Sequence, residues 1–408
     1  MRRSAPLPVL FFASAAHGMN HVLLTLYATL VLVIGREWHE SYNLLAALWL
    51  PGSMLLGVGA PLAGWLGDRW GETRVLVLCF LALGIAAMLC GFAQNTLQLE
   101  GGLALLGLAG SIYHPVGIAW VVKHAEVRAR AIASTGIAGS IGVALGPMVA
   151  GGLTMAIGWR AGFLIPGALT AALGAIFYLY YATGRIADRA DDAVTPHAPP
   201  TRADTARAFA ALGVTMTATL VVYSAFGIAL PKMIDIGTAV GRYGLFAIGM
   251  TAGLIQLLGA VGQFAGGRYA GTGHARLAYA GGFVFLAGVL PLVALSTGWA
   301  LAAAAVATVF LFEWIAPLET MFLARFTPPG RRGLIFGIRY ALAAIGNPAG
   351  VYLVSRLYSP AYGFFYLLAA LSVLSLAALA CALFIPAGKD MHVPPVAEPS
   401  VALLGAED

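Results

Sequence analysis

Long apolar runs fill the chain from end to end, and short clusters of charge, Gly, Pro or Asn interrupt them at intervals. Each run holds about 20 residues, which at roughly 1.5 Å per helical residue crosses a hydrocarbon core of about 30 Å. Cutting at the interruptions predicts twelve spans, over 8–34, 41–66, 75–94, 97–122, 130–155, 161–183, 207–235, 243–266, 277–296, 299–324, 334–356 and 361–385. The expected fold class is an all-α membrane protein of twelve transmembrane helices.

Composition narrows the picture further. Hydrophobic residues make up 60% of the 408 and charged residues only 10%, where about 25% charged is usual in soluble domains. That excludes soluble, disordered, collagen-like and disulfide-rich secreted classes. The 51 glycines suit helices that approach closely in lipid. Cys79, Cys90 and Cys381 lie inside apolar runs without CxxC spacing, so they read as buried inert thiols.

The net charge of +6 sits in short loops, so it reads as topology and not as a nucleic-acid surface. With a cytoplasmic N-terminus, 17 of the 23 basic residues fall on one side; Arg36, Arg160, Lys232, Arg242 and Arg356 fall on the other, and Arg339 lies inside a span. Both termini are therefore expected in the cytoplasm. Arg2-Arg3 and the apolar stretch after them read as the start of span 1 and not as a cleaved leader.

The two ends of the chain resemble each other in register. Gly67-Asp68-Arg69-Trp70 lines up with Gly266-Gly267-Arg268-Tyr269 at an offset of 199; Arg130, Gly136, Gly146-Pro147 and Gly162-Phe163 line up with Arg331, Gly337, Asn347-Pro348 and Gly363-Phe364 at 201. His114-Pro115 falls opposite Ala316-Pro317 at 202. The expected organisation is a six-helix bundle over 1–183, a cytoplasmic linker over 184–206, a second six-helix bundle over 207–385, and a disordered cytoplasmic tail over 386–408. Two such repeats point to alternating access, with a site at the bilayer midplane.

The stretch from Gly64 to Arg74 resembles the loop 2–3 signature of the major facilitator superfamily, G-x-x-x-D-R-x-G-x-R/K, with one extra residue before the final Arg; its core Gly67-Asp68-Arg69-x-Gly71 is intact. The resemblance implies a cytoplasmic gate of Gly67, Asp68, Arg69, Gly71 and Arg74, and an Arg there is placed to bridge to acids such as Glu126. Gly142, Gly146-Pro147 and Gly151 in span 5 resemble the glycine-proline signature of drug–proton antiporters, although three residues separate Pro147 from Gly151 instead of two. Small residues for tight packing explain them equally well. Gly110-Ser111-Ile112-Tyr113-His114-Pro115 is similar to span 4 of fosmidomycin-resistance-type members, with Val116 where those carry an acid. That likeness covers about forty residues and does not carry a substrate with it.

An ionisable residue at the bilayer centre costs roughly 2.5–3.5 kcal/mol on insertion scales, so such residues face a cavity or pair. Span 1 carries His17, Asn20, His21 and Thr25 as one stripe; span 4 carries Ser111 and His114; span 7 offers Tyr223; span 10 carries Glu313 and, seven residues on, Thr320. These residues are the expected substrate and proton site. In the superfamily arrangement spans 1, 4, 7 and 10 line the central cavity. The alternative is a set of interhelical hydrogen bonds that only fixes packing. Glu319 and Arg339 lie at similar depth on neighbouring spans and are expected to form an intramembrane ion pair.

His at i and i+4 is metal-ligand spacing, so His17, His21, His114 and Glu313 make a transition metal possible in principle; one such pair is common without metal, and no metal is assigned. No cofactor is expected. The chain lacks a phosphate-binding G-x-x-x-x-G-K-S/T loop and a nucleophile elbow, which argues against ATP-driven transport and against an enzyme. The expected activity is proton-coupled secondary transport in an inner membrane, tilted toward efflux of a drug-like or amphipathic molecule by antiport. Uptake symport is the alternative. A fixed cation at the centre would have favoured organic anions, and the four central spans supply none. Expected partners are a small-molecule substrate, protons and membrane lipid, not nucleic acid, with the chain acting as a monomer.

Overall fold

A computed structural model describes residues 5–125, 127–186, 202–270, 272–327 and 332–386. Among them stand twelve long helices: α1 Leu7–Trp38, α2 Tyr42–Trp70, α3 Glu72–Phe92, α4 Thr96–His124, α5 Arg128–Ile157, α6 Trp159–Ala182, α7 Arg202–Gly237, α8 Ala239–Gly267, α9 Ala275–Leu295, α10 Gly298–Phe326, α11 Arg332–Leu357 and α12 Phe365–Leu383. The all-helical, multi-pass membrane architecture expected from hydropathy is what is found. An alternation of runs and breaks is enough to place such helices, because a backbone in hydrocarbon satisfies its N–H and C=O groups within the helix itself.

Helix ends follow local chemistry. Gly71 and Gly158 are one-residue turns with φ of +89° and +97°, a conformation that excludes a side chain at low cost, and each ends one helix while opening the next. Ser41 and Asn95 cap α2 and α4 by accepting from the Leu44 and Gln98 amides. α7 begins at Arg202, earlier than the expected 207. The segment Arg202-Ala-Asp-Thr-Ala-Arg contains no Gly or Pro and puts Asp204 in the first turn, so its polarity marked a linker while its propensity makes helix. The rest of the expected linker, the C-terminal tail and Glu126 lie outside the described residues.

Helices before residue 187 meet helices after residue 201 along two seams, α5 on α8 and α2 on α11. Backbones approach closely there: a Cβ on Gly151 would stand 2.6 Å from the Leu245 carbonyl oxygen, and Gly249, Gly253 and Gly57 lie against the backbones of Pro147, Ala144 and Ala344. At the bundle end opposite the N-terminus the contact is polar. Asn43 donates to the Ser355 and Tyr358 carbonyls at 2.8 and 3.0 Å, the Tyr42 hydroxyl donates to the Ile228 carbonyl at 3.1 Å, and Arg36 of α1 lies 3.6 Å from Asp235 of α7.

Candidate functional site

α4 does not run as a continuous α-helix. Pro115 has no N–H to give to the carbonyl four residues back, and the turn widens to a π-helical stretch over Tyr113–Gly117. His114 lies in that stretch. It meets His17 and His21 of α1, with ring centroids 5.3 and 5.4 Å away. One nitrogen of each of the three imidazoles lies within 4.8 Å of the others.

The protonation pattern follows from the partners. His17 Nδ1 is 2.8 Å from the Thr135 carbonyl, which can only accept, so Nδ1 carries the hydrogen. In neutral His17 the Nε2 lone pair then faces His21 Nε2 at 3.2 Å, and His21 is the donor. Tyr113 stacks on His17 at 4.5 Å and donates its hydroxyl to the Ala13 carbonyl. Gly139 makes the room: a Cβ there would lie 2.5 Å from His17 Cε1. On its other side His114 stacks against Tyr340 of α11 at 5.9 Å, and Arg339 is close enough for its charge to act on His114.

The remaining expected site residues divide. Thr25 donates to the His21 carbonyl at 2.7 Å and sits against Gly146 in the α1–α5 seam, where Gly142 likewise meets the Gly18 backbone. Ser111 is buried, donates to the Leu108 carbonyl and fits against Gly59 of α2. Both are packing groups, turned away from the imidazoles. Asn20 is fully buried beside Gly110, and neither its Nδ2 nor its Oδ1 has a hydrogen-bond partner. Glu313 is not part of the imidazole group; it is half-buried on α10 within electrostatic reach of Tyr223, whose ring packs edge-on against Phe312 at 5.3 Å.

The expected direct pair of Glu319 and Arg339 is replaced by separate hydrogen bonds. Glu319 Oε1 accepts from the Thr219 and Tyr279 hydroxyls at 2.9 and 3.0 Å, and Arg339 Nη1 donates to Thr320 Oγ1 at 2.8 Å. Among the described residues no ion pair joins them, although Arg339 still acts on Glu319 through space. Hydroxyls on α7 and α9 satisfy the carboxylate at shorter range, and one on α10 takes the guanidinium, a set of partners invisible in linear sequence. Among the described residues the four central spans supply no cation at the centre, as expected; Arg339 comes from α11, next to Tyr340, and acts on His114 through space.

At the end of α2 that adjoins Gly71, Asp68 and Arg69 are exposed, and Arg69 stacks over Trp65 at 5.2 Å. Gly67 is buried with its α-carbon face toward Val116, and Arg74 donates to the Tyr181 hydroxyl at 2.6 Å. A part-buried ion pair beside this loop is one the sequence reading missed: buried Glu72, in the first turn of α3, with half-buried Lys123 in the last turn of α4. Its only sequence signal was an acid and a base each at a favourable helix end.

The description "Major Facilitator Superfamily" belongs to a family model that matches residues 10–312. Multidrug resistance protein MdtG of Rahnella sp. (strain Y9602) is 32% identical over 145 residues, 35% of this chain and 34% of that protein. The multidrug resistance protein B homolog of Mycobacterium tuberculosis (strain CDC 1551 / Oshkosh) is 34% identical over 116 residues, 28% of this chain and 22% of that one. The matched stretches thus span about a third or less of these relatives. Among solved structures, an inward-facing, unoccupied bacterial homolog of the human lysosomal transporter Spinster superposes with a TM-score of 0.69 at 16% identity, covering 93% of this chain and 94% of that one. The human organic anion transporter MFSD10 (TETRAN) gives 0.67 at 17% identity, covering 92% and 98%. With its helical architecture and a family match over most of its length, this chain belongs to the Major Facilitator Superfamily.

Proposed function

We propose that this protein is a proton-coupled secondary transporter that exports an amphipathic, drug-like small molecule by antiport, from an inner membrane with both termini in the cytoplasm. The observation that carries the reading is titratable side chains placed where hydrocarbon would otherwise surround them: three imidazoles gathered from α1 and α4 and, apart from them, the half-buried Glu313 on α10. Groups of this kind are costly in a bilayer and mark proton or substrate paths. Bundles over 1–183 and 207–385 rock about that site. The narrow α5–α8 and α2–α11 seams and the Asn43 and Tyr42 hydrogen bonds close one end and part when it opens. Export is favoured by the partial relatives, a multidrug resistance protein MdtG and a multidrug resistance protein B homolog.

Proton flux in proteoliposomes containing a pH dye tests this, with a panel of antibiotics, phosphonates, sugars and organic acids added under an imposed gradient. Counter-directed flux with a drug-like compound is expected, and Glu313→Gln, which keeps shape but cannot ionise, should uncouple it. Co-directional flux with a nutrient overturns the export reading, and unchanged coupling in Glu313→Gln removes Glu313 as carrier. Arg339 supports a second reading, an anionic substrate, because its half-buried guanidinium beside Thr320 and His114 favours negative charge nearby. Organic acids on the panel distinguish it.

A further inference from the structure

We propose that His17, His21 and His114 form a binding site for a divalent transition-metal ion of the zinc class, with its remaining coordination position open to an oxygen or nitrogen donor. Three imidazoles that converge from two helices are a donor set that suits zinc, copper and nickel. At ordinary zinc–nitrogen bond lengths of about 2.0–2.1 Å, two ligands of a tetrahedral ion stand about 3.3 Å apart. His17 Nε2 and His21 Nε2 are 3.2 Å apart, so these two need hardly move. One nitrogen of each of the three rings lies within 4.8 Å of the others, and rotation of the His114 ring closes the remaining distance.

The surroundings fit a metal ligand more closely than they fit a chance contact. Imidazoles that bind metals commonly donate the other ring N–H to a carbonyl or carboxylate, which fixes the tautomer and aims the bare nitrogen. His17 has that arrangement with the Thr135 carbonyl. Tyr113 stacks on one face of the ring and Gly139 leaves space for it, so the bare Nε2 is held in one direction. On binding, His21 shifts its hydrogen from Nε2 to Nδ1, and the ion takes the place that hydrogen held between the two Nε2 atoms. Three protein ligands leave one position of a tetrahedral ion free, as in zinc sites that bind an exchangeable ligand. Arg339 acts on His114 through space and opposes further positive charge there. The same guanidinium favours a negatively charged donor in the open position. A binding site of this kind stands whether or not the protein exports drugs.

Cobalt(II) is the probe, because an ion in a low-symmetry nitrogen site absorbs visibly and the readout is independent of transport. The experiment uses the full chain, purified in detergent and free of any tag, with His39, His197, His274 and His392 replaced by Ala to remove adventitious ligands. Expected is saturable binding of one equivalent, displaced by zinc, and at least tenfold weaker in each of His17→Ala, His21→Ala and His114→Ala. Retained helicity and a single size-exclusion peak qualify each variant. Absence of saturable binding in the background protein overturns the proposal even if no variant folds, and leaves the imidazoles joined by a hydrogen bond only. Binding that survives the double replacement of His17 and His21 overturns it as well.

Discussion

Gly151 on α5 bears on the α5–α8 seam with a carbonyl as its neighbour, and replacing it with Ala tests whether that seam holds one end of the bundle closed. The added Cβ would stand 2.6 Å from the Leu245 oxygen and 3.2 Å from Phe246 Cα, where ordinary contact starts at 3.4 Å. Neither neighbour is a flexible side-chain tip, so the helices separate by about 0.8 Å or the backbone bends. A gap of about 0.5–1 Å forfeits a quarter to a half of each dispersion well along the seam. Overpacking of this kind costs about 1–3 kcal/mol. Only the arrangement with the seam closed bears that cost, which amounts to a shift of about 5- to 150-fold toward the opened one. Spin labels at Leu97→Cys and Trp299→Cys, both at that end of the bundle and 76% and 84% exposed, read the separation by pulsed electron–electron resonance. A longer distance should gain population in Gly151→Ala. If the distribution and the melting temperature both match the parent, the seam does not hold that end closed and the reasoning fails.

Asn20 carries the cost of two unpaired buried amide atoms, about 1–3 kcal/mol in comparable cases; Asn20→Leu should therefore raise the thermal unfolding midpoint in detergent while lowering substrate-driven flux, and a lowered midpoint would show that the amide is satisfied after all. In the Glu72–Lys123 pair the carboxylate is buried and the ammonium only partly so: Lys123→Met, which strands the buried charge, should cost up to about 3 kcal/mol, Glu72→Met less, and the double replacement should recover most of the loss. A double-mutant cycle from unfolding curves checks this, and additive losses would refute the coupling.

The twelve spans and their order were legible in the sequence because span length answers to bilayer thickness and the breaks are written in charge, Gly, Pro or Asn. The same holds for Gly71, whose positive φ turns the chain between α2 and α3. What the spans present to one another was not. In a soluble helix an apolar stripe reveals the inward face, but here lipid and interior are equally apolar, so rotation about each helix axis leaves no trace in the residue pattern. That is why Ser111 and Thr25, placed on the site by spacing, turn into the seams against Gly59 and Gly146, while His17 joins His21 and His114. It is also why Arg339 was paired with Glu319 by depth alone. Depth follows from position along the chain; the hydroxyls of Thr219, Tyr279 and Thr320 that take those two charges come from packing. Sequence by itself determined how many helices cross, where they turn and which titratable groups enter the membrane. Tertiary structure decided which of those groups meet, because contact depends on helix rotation and on the widened turn that Pro115 imposes on α4.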